Sequence, residues 1–119
     1  MEELTKTEER IMHLFWDLNS AFIKDIIDRL PDDPKPPYNT ISSVVRILAK
    51  KGYIGFRSYG NTYEYFPLIT KSAYGKLSFT KLLTNYFDGS PQSLLSFMVK
   101  EETLSEKDIK EIQKIINKQ

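Results

Sequence analysis

Apolar residues recur along this chain at helical spacing in three successive blocks and then give way to alternation. Ile11, Leu14, Phe15 and Leu18 make the first stripe, introduced by Thr5 and Glu8 at the spacing of a capping box. Ile23, Ile26, Ile27 and Leu30 make the second, at i, i+3, i+4 and i+7. Ile41, Val44, Val45 and Leu48 repeat that spacing within YNTISSVVRILAKKG, residues 38–52. Four prolines in PDDPKPP, residues 31–37, separate the second block from the third, because proline cannot continue a helix and also restricts the residue before it. Gly52 supplies a helix stop, and YIGFRSY and TYEYFPL read as two strands around a tight turn at Gly60-Asn61. In the second run Tyr63 and Tyr65 fall on one face, with Thr62, Glu64 and Phe66 on the other.

From about Thr70 the pattern is helical again. Phe79, Leu82, Leu83 and Tyr86 form a stripe, with Ala73 and Leu77 ahead of it. Asp88-Gly89 breaks this helix, and Ser90-Pro91 restarts one as N-cap and first helical residue. Leu94, Leu95, Phe97, Met98 and Val99 make the next helix apolar nearly all round. Leu104 and Ile109 bracket Ser105, Asp108 completes its cap, and Ile109, Ile112 and Ile116 line one side of the last helix. Three short helices cannot bury that much apolar surface by themselves, so the pattern predicts a partner, and a second copy is the simplest one. The residues expected at that interface are Leu77, Leu82, Leu83, Tyr86, Leu94, Leu95, Met98, Ile109, Ile112 and Ile116.

The fold class that follows is mainly α with a small β-hairpin. Residues 1–69 form an N-terminal winged helix-turn-helix and residues 70–119 a helical dimerisation region. In such a module the third helix enters the major groove while the second crosses the backbone. At about 100° per residue, the third helix gathers Asn39, Ser43, Arg46 and Lys50 opposite its apolar stripe, flanked by Thr40 and Ser42, and no carboxylate occurs from Tyr38 to Tyr63. The chain has 119 residues and a net charge of only +1, but the charge is segregated. Residues 1–34 carry nine acidic against four basic side chains, whereas residues 35–66 carry Lys35, Arg46, Lys50, Lys51 and Arg57 against Glu64 alone. Local positive charge on a helix followed by a hairpin points to double-stranded DNA. The residues expected to touch it are Tyr38, Asn39, Thr40, Ser42, Ser43, Arg46 and Lys50 on the helix, and Arg57 and Asn61 at the wing. Asn39 and Ser43 are placed to read base edges, and Arg46 and Lys50 to meet phosphate or base. Blander readings stand beside these: Asn39 as a helix cap, and Arg46 and Lys50 as solvated side chains. A whole-protein alternative is a winged-helix protein–protein module that binds no DNA.

Composition argues against chemistry by reactive side chains. There is no cysteine, hence no disulfide and no thiolate metal site, and His13 is the single histidine. No Ser/His/Asp set and no metal-spaced cluster can be assembled, so neither an enzyme nor a cofactor is expected. The N-terminus opens with two glutamates rather than a signal peptide, and no apolar run is long enough to span a bilayer. A cytoplasmic protein without membrane insertion is expected.

The order LTKTEERIMHLFW, a short helix ending at Leu30, YNTISSVVRILAKKGYIGFR and a YEYFPL strand resembles the penicillinase repressor family (BlaI/MecI/CopY type) over nearly the whole chain. The most specific segment is T-I-x-x-V-x-R-I-L-x-K-K-G followed by an aromatic hairpin. The resemblance implies a homodimeric repressor that binds a palindromic operator, often with TACA-type half-sites, through the third helix and the wing, and dimerises through its C-terminal helices. It also implies induction by a membrane sensor metalloprotease that cuts in the C-terminal region. The family's Asn-Phe cleavage bond has Ser96-Phe97 and Phe97-Met98 as its nearest counterparts here, within LLSFMVK. The Lys-Thr opening of the staphylococcal recognition helix is Asn39-Thr40, and the cysteine cluster of the copper-responsive branch is missing.

Overall fold

The computed structural model describes residues 1–118. Its elements run α1 (Lys6–Leu18), α2 (Ile23–Arg29), α3 (Tyr38–Lys50), β1 (Ile54–Tyr59), β2 (Thr62–Pro67), α4 (Lys71–Phe87), α5 (Pro91–Lys100) and α6 (Glu106–Asn117). Two compact units divide within α4, one covering Met1–Tyr74 and the other starting at Gly75.

In the first unit the three apolar stripes close on one another. Ile11, Met12 and Phe15 of α1, Ile23 and Ile26 of α2, and Ile41, Val45 and Leu48 of α3 are buried, together with Leu30, Tyr53, Ile54 and Tyr65. Thr5 begins α1 with the expected reciprocal box: its hydroxyl accepts from the Glu8 amide at 3.2 Å, and the Glu8 carboxylate accepts from the Thr5 amide at 3.1 Å. Gly52 ends α3 in the left-handed region, at φ +85°.

The hairpin pairs Ile54 with Pro67 through Tyr59 with Thr62, turning at Gly60-Asn61. One face carries the rings of Phe56, Tyr63 and Tyr65, whose centroids lie 5.0 to 6.3 Å apart. On the other, Arg57 faces Glu64 across the strands and Phe66 lies over Gly55. A third edge joins this sheet, which the sequence pattern did not reveal. Ala21, between α1 and α2, donates its amide to the Tyr65 carbonyl at 2.9 Å, and the Tyr65 amide donates back at 2.8 Å. That single bridge ties the wing to the start of α2. Trp16 adds another tie, donating its indole N–H to the Ile69 carbonyl at 2.9 Å.

The second unit is the remainder of α4 with α5 and α6. Ser90 caps α5, and Ser105 with Asp108 closes a capping box on α6. Hydrogen bonds from Ser105 hold the Asp108 carboxyl below the usual carboxylate range. Leu83, Leu94, Met98, Ile109 and Ile112 are half-buried, and the Phe87 and Phe97 rings meet edge-on at 5.5 Å. None of the described residues in α4, α5 or α6 is fully buried. Leu77, Phe79, Leu82, Leu95, Phe97, Val99, Ile115 and Ile116 are exposed, and Tyr86 is 77 % exposed. No helix among the described residues is long and apolar enough to cross a membrane.

Candidate nucleic-acid interface

The α3 backbone starts after Pro37, whose fixed φ suits a helix entry, so Asn39 lies inside the first turn rather than at the cap. No side chain caps this N-terminus. Asn39, Thr40, Ser43, Arg46 and Lys50 are exposed, and Tyr38 stands at the same end, 53 % exposed. Ser43 turns its hydroxyl back to the Asn39 carbonyl at 2.9 Å. Ser42 occupies a different position from the others: it is only 9 % exposed, and its hydroxyl accepts from the Arg46 guanidinium at 3.2 Å. Its place on the helix, 100° from the core stripe toward the hairpin, explains that burial.

Three of the five cations between residues 35 and 66 are already committed. Lys35 donates to the Asp28 carbonyl at 3.1 Å and to the Leu30 carbonyl, satisfying the C-terminal end of α2. Lys51 donates to Glu8 at 2.6 Å and to the Glu3 carbonyl at 3.1 Å. Arg57 pairs with Glu64 at 2.9 Å and lies 5.1 Å from the Phe66 ring centroid. Arg46 and Lys50 make no ion pair among the described residues; Arg46 donates only to the Ser42 hydroxyl, and both cations are exposed.

Between α3 and the hairpin runs a cleft of about 270 Å³. Tyr38, Ser42 and Arg46 form one wall, and Phe56, Asn61 and Tyr63 the other. Burial pushes the Tyr65 phenol at its base up, and the neighbouring Tyr38 and Tyr63 add to this while Arg46 opposes it. Asn61 at the turn and Tyr38 at the helix start are thus brought to one surface, together with Arg46. Phe56 and Tyr63, which also pack ring against ring in the hairpin, line it too. Ile47 on α3 is also exposed, at 43 %, outside the apolar stripe of that helix. Its helical angle put it on the outer half, but an apolar residue type gave no sign of function.

Three helices closed by a hairpin, with the third helix presenting hydroxyl, amide and cationic side chains and no carboxylate, define a winged helix-turn-helix. The penicillinase repressor family model matches residues 4–118. The methicillin resistance regulatory protein MecI of Staphylococcus aureus (strain N315) is 25 % identical over 116 residues, covering 98 % of this chain and 94 % of MecI. The penicillinase repressor of Bacillus licheniformis is 23 % identical over 114 residues, covering 96 % of this chain and 89 % of that protein. The solution structure of the DNA binding domain of the repressor BlaI superposes with a TM-score of 0.53 at 25 % identity, covering 62 % of this chain and 94 % of that domain. The chain belongs to the penicillinase repressor family.

Proposed function

We propose that this chain represses transcription as a cytoplasmic homodimer, each copy laying α3 in the major groove of one half of a palindromic operator. Membership of the family makes it a DNA-binding transcriptional repressor, which favours this reading over a protein–protein module. The observation that carries the finer reading is the outer face of α3, where Asn39, Thr40, Ser43, Arg46 and Lys50 stand exposed without a carboxylate. Asn39 and Ser43, near the helix start, read base edges; asparagine matches the donor–acceptor pair on adenine. Lys50 meets phosphate, and the backbone of one strand passes across the cleft beside Tyr38, Arg46 and Asn61. Ser42 acts by holding the Arg46 head group. Arg57 reaches DNA only by leaving or sharing Glu64.

The exposed apolar side chains of α4 to α6 support dimerisation through that unit, with Leu77, Leu82, Tyr86, Leu95 and Ile116 outermost. Two-fold pairing sets the reading helices roughly 34 Å apart, one duplex turn. A membrane sensor metalloprotease, cutting in α5 near Ser96-Phe97 or Phe97-Met98, would separate α6 from the rest and undo the pair. Selection from random duplexes, with sedimentation of the bound and free protein, tests the whole reading. An inverted repeat bound by two copies is expected, with Asn39→Ala relaxing the preference at one position per half-site. A monomer bound singly at asymmetric sites would refute it.

A further inference from the structure

Ile47 stands apart on the outer half of α3. It is half-exposed at a position bracketed by Thr40 and Ser43 toward the helix start and Lys50 toward its end. Its β-branch leaves essentially one side-chain rotamer in a helix, so the apolar tip is held rather than free to fold away. Helical side chains lean toward the N-terminus, which carries that tip over the turn that presents Ser43. A rigid apolar group has therefore been set among the polar side chains proposed above to enter the major groove. Among the groups a base pair displays at that groove edge, the C5-methyl of thymine is the apolar one, and the others are hydrogen-bond donors and acceptors.

We propose that Ile47 is a specificity-determining residue that reads a thymine methyl group in each half-site. This rests on the reading of α3 as the groove helix, and adds to it a position at which thymine is chosen for its methyl alone. Asn39 and Ser43 discriminate by hydrogen bonds, so replacing thymine by deoxyuridine, which keeps every donor and acceptor, isolates the contribution of Ile47.

The test uses the full chain and the consensus duplex that it recovers from a random pool. Each thymine in that duplex is replaced in turn by deoxyuridine, and affinity is measured for the wild type, Ile47→Ala and Ile47→Val. One symmetric pair of thymines should cost the wild type about fourfold in affinity per methyl lost. Ile47→Ala should bind the unmodified duplex more weakly and show no penalty for deoxyuridine at that pair, and Ile47→Val should fall between. Circular dichroism of Ile47→Ala checks that the helix persists, as an exposed site leads one to expect. Indifference of the wild type to every deoxyuridine would overturn the inference, and so would an equal penalty in the wild type and Ile47→Ala. Loss of the dimer in Ile47→Ala would assign the side chain to a contact between copies and overturn it too. Failure to select any consensus would overturn the reading of α3 itself, a different result from selecting a consensus whose methyls do not matter.

Discussion

The pair formed by Glu8 and Lys51 joins the start of α1 to the end of α3, and it allows a quantitative test of what orients α3. Glu8 is 7 % exposed and accepts from both the Thr5 amide and the Lys51 ammonium on one oxygen. Burial raises its pKa, but the Lys51 hydrogen bond, the Thr5 backbone bond and the Lys51 charge together bring it below the ordinary value of 4.5. Unit charges 2.6 Å apart attract by about 6 kcal/mol at an effective dielectric near 20, and desolvation of both groups offsets much of that. Removing one partner of a fully buried pair costs ~3–5 kcal/mol. The Lys51 side chain keeps 16 % of its exposure, which lets water reach the carboxylate and sets Lys51→Met at ~2–3 kcal/mol. For a unit of this size each kcal/mol is worth ~4–8 °C, so the midpoint should fall by roughly 8–24 °C at pH 7.

Trp16, the single tryptophan, lies in the same unit and makes its fluorescence the natural probe for thermal and urea unfolding. The folded pKa of Glu8 is depressed, so the stability it confers is complete above 4.5 and is lost as pH falls through the lower folded value. In Lys51→Met burial is left without its main opponent, and acid relieves the variant by protonating the buried carboxylate. Both effects narrow the gap as pH falls, the relief of the variant coming at and above 4.5 and the loss in the wild type below it. Lys51→Arg, which keeps the charge, should recover part of the loss. A Lys51→Met protein within 0.5 kcal/mol of the wild type at pH 7, or a gap unchanged from pH 7 to pH 3, would refute the reasoning.

Lys50→Ala should weaken specific and non-specific DNA binding alike and reduce the salt slope by about 1, measured by titration at several salt concentrations; a change confined to the operator would assign Lys50 to base reading. Gly55→Ala should cost ~1–3 kcal/mol, because the added Cβ meets the Phe66 ring at 2.9 Å, and urea unfolding measures it. Residues 1–97 should keep the helical signal of the winged helix but lose operator occupancy by ~10²-fold, since each copy must then find its half-site alone; equal affinity for the two lengths would show that α6 has another role.

How far the sequence could be read depended on the range of the interaction concerned. Capping at Thr5, Ser90 and Ser105, the stop at Gly52 and the turn at Gly60-Asn61 are settled within four or five residues, and all were legible. Core stripes were legible because burial follows the 3.6-residue period whatever the partner is. What stayed hidden depends on which segments meet. The bridge from Ala21 to Tyr65 spans 44 positions and consists of one residue on each side, too short to leave an alternating pattern. Ser42 has the chemistry of a groove contact and the helical angle of a flank, and only the placement of the hairpin buries it.

Charge was the least transparent property, and its distribution bears directly on mechanism. Five cations against one carboxylate in residues 35–66 suggest a strongly attractive surface, yet Lys35 and Lys51 hold the frame and Arg57 is matched by Glu64. What α3 offers a phosphate backbone is Arg46 and Lys50. Two cations neutralise two phosphates, a salt slope of roughly −1.8 from this helix in a single copy and −3.6 in a pair. With two unpaired cations, α3 itself would gain only modest affinity from counterion release in the proposed complex. In the proposed dimer, discrimination falls to the uncharged side chains Asn39, Ser43 and Ile47, and residence to the apolar surface of α4 to α6 that would join two such helices. Under that proposed division of labour, anything that parts the C-terminal helices would release the DNA without having to alter α3 at all.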